Sequence, residues 1–363
     1  MIKKMCLLTS LLLILSAGLL YADESWLREH RIVGGQKSSP YSWTWMAALI
    51  TPAATPYYGF FCGATLIHPH WVMTAAHCVK DDFGDDLLPE DIEVVLNIYD
   101  LKKETGDRVK IRRIISHPKH DLFEGDDFDI ALIELEQDVR YQPLALWSDK
   151  SDIQGKTSVV IGWGYTNRID PDQLMEVQMP VISNDRCNAA YNEDGSYGID
   201  SITQRMLCAG EDGKDSCSGD SGGPLIIKDN TGAWRQAGIV SWGSDPCAMP
   251  GLYGVYSRVS EFADFISQYV ALSLDAPKLK ASVSGTQLTL SWTPVFGAQG
   301  YTLYYAPYPN AIYIKTVEMG NITSVSGYLW QGAAFYTALQ AYGSGMVSAY
   351  SNIESFVINA PSP

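Results

Sequence analysis

Apart from Cys6, every cysteine of this 363-residue chain lies between Cys62 and Cys247, and charge is divided just as unevenly. From Ile32 to Leu272 there are 19 Lys and Arg against 35 Asp and Glu, whereas Ser273 to Pro363 holds 3 of each. A chain divided in this way reads as two units: an acidic one that disulfides can brace, and a neutral one that relies on its apolar core alone. With 46% apolar and only 18% charged residues, both have the material for a core. The net charge of −15 excludes the usual nucleic-acid partner, since phosphate recognition draws on Lys and Arg.

One long apolar run exists, Met5 to Leu20, preceded by Lys3 and Lys4 and followed by the small Ala22. Its length and polarity order are those of a secretory signal peptide cut after Ala22, which removes Cys6. The chain is therefore expected outside the cell, and no other stretch is long enough to span a bilayer. Six cysteines remain, an even number that reads as three disulfides, with the pairing left open.

Strand-like runs dominate the acidic segment, among them Ile92 to Ile98, Arg108 to Ile115, Ser158 to Ile161 and Ala237 to Trp242. Only Val259 to Ala271 carries a helical period. The neutral segment alternates over Gln287 to Trp292 and Tyr301 to Tyr305 between turn-forming residues, as a small β-sandwich does. Leu272 to Pro277 is the expected linker.

A serine hydroxyl is a weak nucleophile at neutral pH; it needs an imidazole to take its proton and donors to hold the developing oxyanion. Ser221 sits in GDSGGP (Gly219 to Pro224), where flanking glycines let backbone amides converge. His77 sits in TAAHC, and Asp129 in DFDIALIEL at the head of an apolar strand. The chain order His, Asp, Ser is informative, because unrelated folds carry these groups in other orders.

These strings resemble the chymotrypsin/trypsin family of serine proteases over roughly Ile32 to Val270. Five matches carry the resemblance: IVGG at Ile32 to Gly35, TAAHC at Thr74 to Cys78, DIAL at Asp129 to Leu132, DSCSGDSGGP at Asp215 to Pro224, and SWG at Ser241 to Gly243. The resemblance implies an all-β fold, a double β-barrel with a C-terminal helix and the active site between the barrels. It implies Ser221 as nucleophile, His77 as general base and then acid, and Asp129 as the partner that fixes the imidazole. The amides of Gly219 and Ser221 would form the oxyanion hole. Ser241 would support the aspartate and bind substrate backbone with Gly243, and Trp242 would wall the cleft. Asp215 would floor a specificity pocket between Gly243 and Gly254 and select Arg or Lys. The implied disulfides are Cys62 with Cys78, Cys187 with Cys208, and Cys217 with Cys247. Cleavage between Arg31 and Ile32 would free an ammonium to pair with Asp220.

The tail resembles a fibronectin type III domain, through Trp292 in LTLSWTP and the strings GYTLYY, YTALQAY and AYSNIESFVI, with Phe335 where that family's corner tyrosine usually falls. The expected organisation is a signal peptide over 1–22, an activation propeptide over 23–31, the protease domain over 32–271, a linker over 272–277 and the sandwich over 278–363. A signal peptide ahead of this pair resembles bacterial exported trypsin-like proteases, which pass through the periplasm. Expected partners are protein or peptide substrates with Arg or Lys at the cut, and a protein or carbohydrate ligand of the sandwich. No metal or cofactor is expected. The acidic run Asp81 to Asp86 and the histidines His68, His70, His117 and His120 read as surface turns. Glu124, Asp126 and Asp127 are expected to draw further basic residues upstream of the cut by their field. The rival reading is a non-catalytic binding protein on the same fold, acting through its tail. It would be favoured by a missing triad member, and none is missing.

Overall fold

The structure, a computed structural model, describes residues 32–81, 83–120, 127–164, 172–195, 201–272, 274–343 and 346–358. The expected signal peptide, the propeptide with Arg31, and residues Asp82, Glu124 and Asp126 lie outside the described residues.

In chain order the first strands are β1 (Gln36–Lys37), β2 (Met46–Ile50), β3 (Phe60–His68), β4 (Trp71–Thr74), β5 (Glu93–Leu96), β6 (Asp107–Val109), β7 (Ile111–Ser116) and β8 (Ala131–Leu135). Strands β2 to β8 form one antiparallel sheet in the order β6-β5-β2-β3-β4-β8-β7, so that β6 and β7, neighbours in sequence, end up at its two edges. The sheet is rolled into a barrel. Its strands β2 (MAALI) and β8 (ALIEL) are buried at every residue, which is why they read as continuous apolar runs rather than alternating ones. Glu134, the one acid within β8, is matched by Arg112 at 3.2 Å and by Arg113.

The second sheet uses β9 (Thr157–Gly162), β10 (Met175–Ile182), β11 (Met206–Ala209), β12 (Pro224–Lys228), β13 (Trp234–Trp242) and β14 (Gly254–Arg258). Its order is β1-β10-β11-β14-β13-β12-β9, and β9 pairs with β10 as well as β12, which closes it. Here β10 (MEVQMPVI) alternates: Met175, Val177, Met179 and Val181 point into the core while Gln178 faces solvent. Burying each such side chain contributes about 1.5 to 3 kcal/mol.

Helices are few: α1 (Pro56–Gly59), α2 (Asn184–Asp194) and α3 (Ala263–Tyr269), the last continuing a 3-10 turn over Val259–Phe262. The helical period at the end of the acidic segment thus becomes two short elements that stop at Tyr269. Nothing in the periodicity foretells α2, because only Cys187 and Tyr191 of it are buried. Its ends were nevertheless written in the sequence: the Ser183 hydroxyl accepts from the Arg186 amide at 3.3 Å, and Gly195 closes it with φ of 74°.

The tail forms two facing sheets from β15 (Leu279–Ser284), β16 (Gln287–Trp292), β17 (Gly300–Pro307), β18 (Lys315–Gly320), β19 (Ser324–Tyr328), β20 (Ala334–Gly343), β21 (Met346–Val347) and β22 (Glu354–Val357). One is β15-β16-β19; the other is β18-β17-β20-β21, with β22 also on β20. Leu279, Leu290 and Trp292 from the first sheet meet Tyr301, Leu339 and Phe356 from the second in a common core. The segment read as a linker is packed rather than free. Leu272 and Phe296 lie against the first barrel's core, Leu274 belongs to the sandwich core, and Arg235 reaches Asp275 at 2.6 Å. No helix among the described residues is long and apolar enough to cross a membrane.

Candidate active site

His77 opens a 3-10 turn directly after β4, and Asp129 stands two residues before β8, the strand that pairs with β4. Adjacent strands therefore bring together groups that are 52 residues apart. The Asp129 carboxylate is fully buried and takes three donors: the His77 amide at 2.9 Å, His77 Nδ1 at 2.8 Å and the Ser241 hydroxyl at 2.6 Å. Burial alone would raise its pKa, but the charge of His77 and these hydrogen bonds prevail and hold it at about 2. A carboxylate so held fixes Nδ1 toward Asp129 and sets the orientation of the ring.

Ser221 lies in the turn ahead of β12, against β3 of the first barrel. Its carbonyl accepts from the Gly63 amide at 2.8 Å. Gly222, at φ of 76°, passes so close to Thr74 and the Gly63 carbonyl that any side chain there would overlap them. The Ser221 turn is thus seated on the end of β4, the strand that leads to His77. At Gly219 φ is 92°, and neither its amide nor that of Ser221 donates to any group among the described residues. Two disulfides brace these parts, Cys62–Cys78 joining β3 to the His77 turn and Cys217–Cys247 joining the loop before Ser221 to the segment after β13, while Cys187–Cys208 joins α2 to β11.

Behind the serine, Asp215 is only 2% exposed. Its Oδ2 accepts from the Ala248 amide at 3.2 Å, while Oδ1 has no hydrogen-bond partner among the described residues. Burial pushes its pKa up to about 7, against the pull of the Ala248 and Ser216 bonds. Gly254 faces it so closely that a methyl group there would overlap Oδ1, and Gly243 stands opposite Gly254. Sequence reasoning missed Tyr256 and Ser216, whose hydroxyls bond at 3.0 Å beside this carboxylate. Tyr256 lies two residues beyond Gly254 on β14 and so on the same strand face, a signal that strand period could have supplied. Trp242 packs on Tyr191, with ring centroids 5.1 Å apart.

Asp220 is fully buried, accepting from the Gly164 amide at 2.8 Å and the Cys217 amide at 3.0 Å. With backbone donors alone, burial lifts its pKa to about 7. Ile32 is buried in the second barrel's core, and the neighbouring Val33 carbonyl accepts from the Asp215 amide at 3.2 Å.

The acidic field expected ahead of Asp129 is weaker than its composition suggests, because Asp127 is held by Arg205 through a bidentate pair. The histidines divide. His70 bonds Asp138 at 2.8 Å, whereas His117 is no simple surface turn: its ring stacks on Phe128 at 4.8 Å, and burial, reinforced by Lys119, lowers its pKa to about 4. Within the acidic run, Asp81 caps the amides of Phe83 and Asp85, and Lys80 pairs with Asp86. Cys62 and Cys78 lie near His77, but their sulfurs are bonded to each other and offer no thiolate to a metal.

Two antiparallel β-barrels, the second closed by the β9–β10 pairing, with an aspartate-bound histidine on the first and a glycine-flanked serine on the second, define a serine hydrolase architecture. The family model for trypsin matches residues 32–266, and the chain belongs to that family as a serine endopeptidase. It is 39% identical to a tryptase of Mus musculus over 251 residues, which cover 66% of this chain and 88% of that protein. It is 36% identical over 258 residues to serine proteinase stubble of Drosophila melanogaster, and 34% identical over 261 residues to a suppressor of tumorigenicity 14 protein homolog of Bos taurus. The matches span 67% and 68% of this chain but only 31% and 29% of those two longer proteins.

Proposed function

We propose that the protein is a secreted zymogen of a trypsin-like endopeptidase that hydrolyses peptide bonds after Arg and Lys. The observation that carries this reading is the partnerless Oδ1 of Asp215 beneath two glycines. A buried carboxylate with a missing partner, beside glycines that bring no side chain of their own, selects a long cationic side chain, because a neutral one leaves it unpaired.

Ser221 Oγ attacks the scissile carbonyl carbon as His77 Nε2 takes its proton, and the amides of Gly219 and Ser221 receive the oxyanion. Collapse breaks the C–N bond, with His77 returning the proton to the leaving amine. Water then cleaves the acyl-enzyme by the same steps in reverse. Losing one oxyanion donor costs about 2.7 to 4 kcal/mol of transition-state stabilisation. A peptide-library cleavage profile, with Ser221→Ala as the blank, tests class and specificity together; cuts after residues other than Arg or Lys would reject the pocket assignment.

Activation by cleavage between Arg31 and Ile32 supplies what Asp220 lacks. The new ammonium pairs with its buried carboxylate, an interaction whose loss costs about 3 to 5 kcal/mol. Gly162 and Gly164 crowd Asp220 so closely that side chains there would overlap it, which keeps room for that approach. Arg31→Gln should accumulate as an inactive precursor, and N-terminal sequencing of active protein should begin at Ile32. Residues 1–22 direct export, consistent with three disulfides that suit an oxidising compartment. The tail from 278 onward is a fibronectin type III-like sandwich that presents an apolar, aromatic surface to a protein or carbohydrate ligand. Tyr328 and Trp330 are exposed on it.

A further inference from the structure

We propose that Arg205 is a positioning residue for catalysis: reaching across from the second barrel, it holds the Asp127–Phe128 turn that aims the Asp129 carboxylate at His77. The inference rests on the triad assigned above.

Phe128, immediately before Asp129, has φ of 60°, a left-handed conformation that a bulky L-residue adopts only when its surroundings impose it. The surroundings here are specific. The Arg205 guanidinium lies 4.3 Å from the Phe128 ring centroid, and His117 stacks on the same ring at 4.8 Å with an interplanar angle of 24°. Phe262 closes the cluster at 6.3 Å. The same guanidinium grips the preceding residue: Nε donates to both Asp127 oxygens at 2.9 and 3.0 Å, Nη2 adds a further bond, and the Thr203 hydroxyl donates to Oδ1 at 3.3 Å. Asp127 is 12% exposed and Arg205 35%, so the pair is largely sheltered from screening.

Two further contacts from the second barrel complete the grip. Ser257, the register partner of Met206 next to Arg205, donates its hydroxyl to the Asp129 carbonyl at 2.7 Å, and Ser241 donates to the Asp129 carboxylate. Residues 127, 128 and 129 are thus all held by side chains of the opposite barrel. Arg205 holds two of the three with one planar group, which a lysine could not do. It touches neither His77 nor the proposed nucleophile, so it acts through the backbone.

The test uses the activated full-length enzyme with Arg205→Gln and Arg205→Lys, together with Asp129→Asn as a check on the triad. Steady-state kinetics are read beside the downfield Nδ1 proton resonance of His77 and the affinity of a small amidine for the Asp215 pocket. Because small misplacement of a catalytic group costs up to about 100-fold, Arg205→Gln should lower kcat by roughly 10- to 100-fold. KM and amidine affinity should stay near wild type, the resonance should shift or broaden, and Arg205→Lys should fall between. If Arg205→Gln does not accumulate, Asp127→Asn is read by the same criteria. An unchanged kcat and resonance overturn the positioning role and leave the triad standing. Parallel loss of kcat and amidine affinity overturns it as well, since that marks a general collapse. Full activity in Asp129→Asn removes the triad reading and this inference with it.

Discussion

The Asp129 seam and the Asp215 pocket treat a buried carboxylate in opposite ways. Asp129 receives three donors and has its pKa drawn down to about 2; Asp215, whose Oδ1 finds no partner among the described residues, is pushed up to about 7. The protein therefore completes the first site itself and leaves the second to be completed by whatever enters. Their linkage to pH also has opposite signs. Asp129, with a lowered folded pKa, contributes stability that is present above the ordinary carboxylate value and lost as pH falls toward about 2. Asp215, with a raised one, costs stability as pH climbs from the ordinary value through about 7. On the proposed function, a group held ready for the reaction stabilises the fold, while one held ready for a substrate strains it until that substrate arrives.

The largest expected effect comes from breaking the completed site. Asp129→Asn should reduce kcat by about 10⁴, because an amide in that position favours the wrong imidazole tautomer. Since Asn still fits, the KM for a small Arg peptide should change far less than kcat. Breaking the incomplete site should cost less and in a different parameter: Asp215→Ser should lower kcat/KM for Arg and Lys substrates by at least about 100-fold, as expected when one side of a buried charge pair is truncated. Hydrolysis after Arg at the wild-type rate in Asp215→Ser would show that the pocket lies elsewhere.

The residues of both candidate sites stood out in the sequence because they sit in short, distinctive strings, and around Ser221 and Asp215 those strings bear glycines that the local backbone requires. GDSGGP must leave Gly222 bare because Thr74 and the Gly63 carbonyl already occupy its side-chain space. The pocket was legible for the same cause at Gly254. What stayed hidden depends on contacts between residues remote in sequence, such as Arg205 with Asp127, 78 residues apart, or the Ser257 hydroxyl with the Asp129 carbonyl, 128 apart. No local pattern encodes these. Within the acidic string ahead of Asp129, the pairing of Asp127 with Arg205 was hidden for the same reason. The seam between barrel and sandwich was also invisible, because Leu272 and Phe296 are ordinary apolar residues whose partners lie in another unit.

The contrast can be sharpened by titrating the pocket alone, with chemistry excluded. A small amidine stays cationic across the working range and needs the Asp215 anion. Its affinity should therefore rise by up to about tenfold per pH unit below the carboxylate's pKa and level off above it. With that pKa at about 7, the break should fall near neutrality. Equilibrium binding to Ser221→Ala protein measures this without interference from turnover. An affinity independent of pH from about 5 to 9 would mean that the empty pocket already ionises its aspartate, and the contrast with Asp129 would shrink to a difference in donors alone.

The smallest expected effect lies outside both sites, at the seam with the tail. Arg235 links Asp229 at 3.0 Å on the barrel side to Asp275 at 2.6 Å, and the Ser148 hydroxyl donates to the Pro294 carbonyl at 3.1 Å. Asp275 is 60% exposed, so solvent screens the pair and its removal should cost no more than about 1 kcal/mol. Arg235 keeps Asp229, which spares it from being left unpaired. Asp275→Ala should therefore lower Tm by at most a few degrees, roughly 2 to 4 °C per kcal/mol for a unit of this size. Its kcat/KM on a small Arg peptide should stay at the wild-type value, since the residues assigned to triad, oxyanion hole and pocket all precede Leu272. Should this exposed pair instead alter kcat, the tail would be coupled to the catalytic seam, and the division between a finished site and one awaiting substrate would have to include a third region.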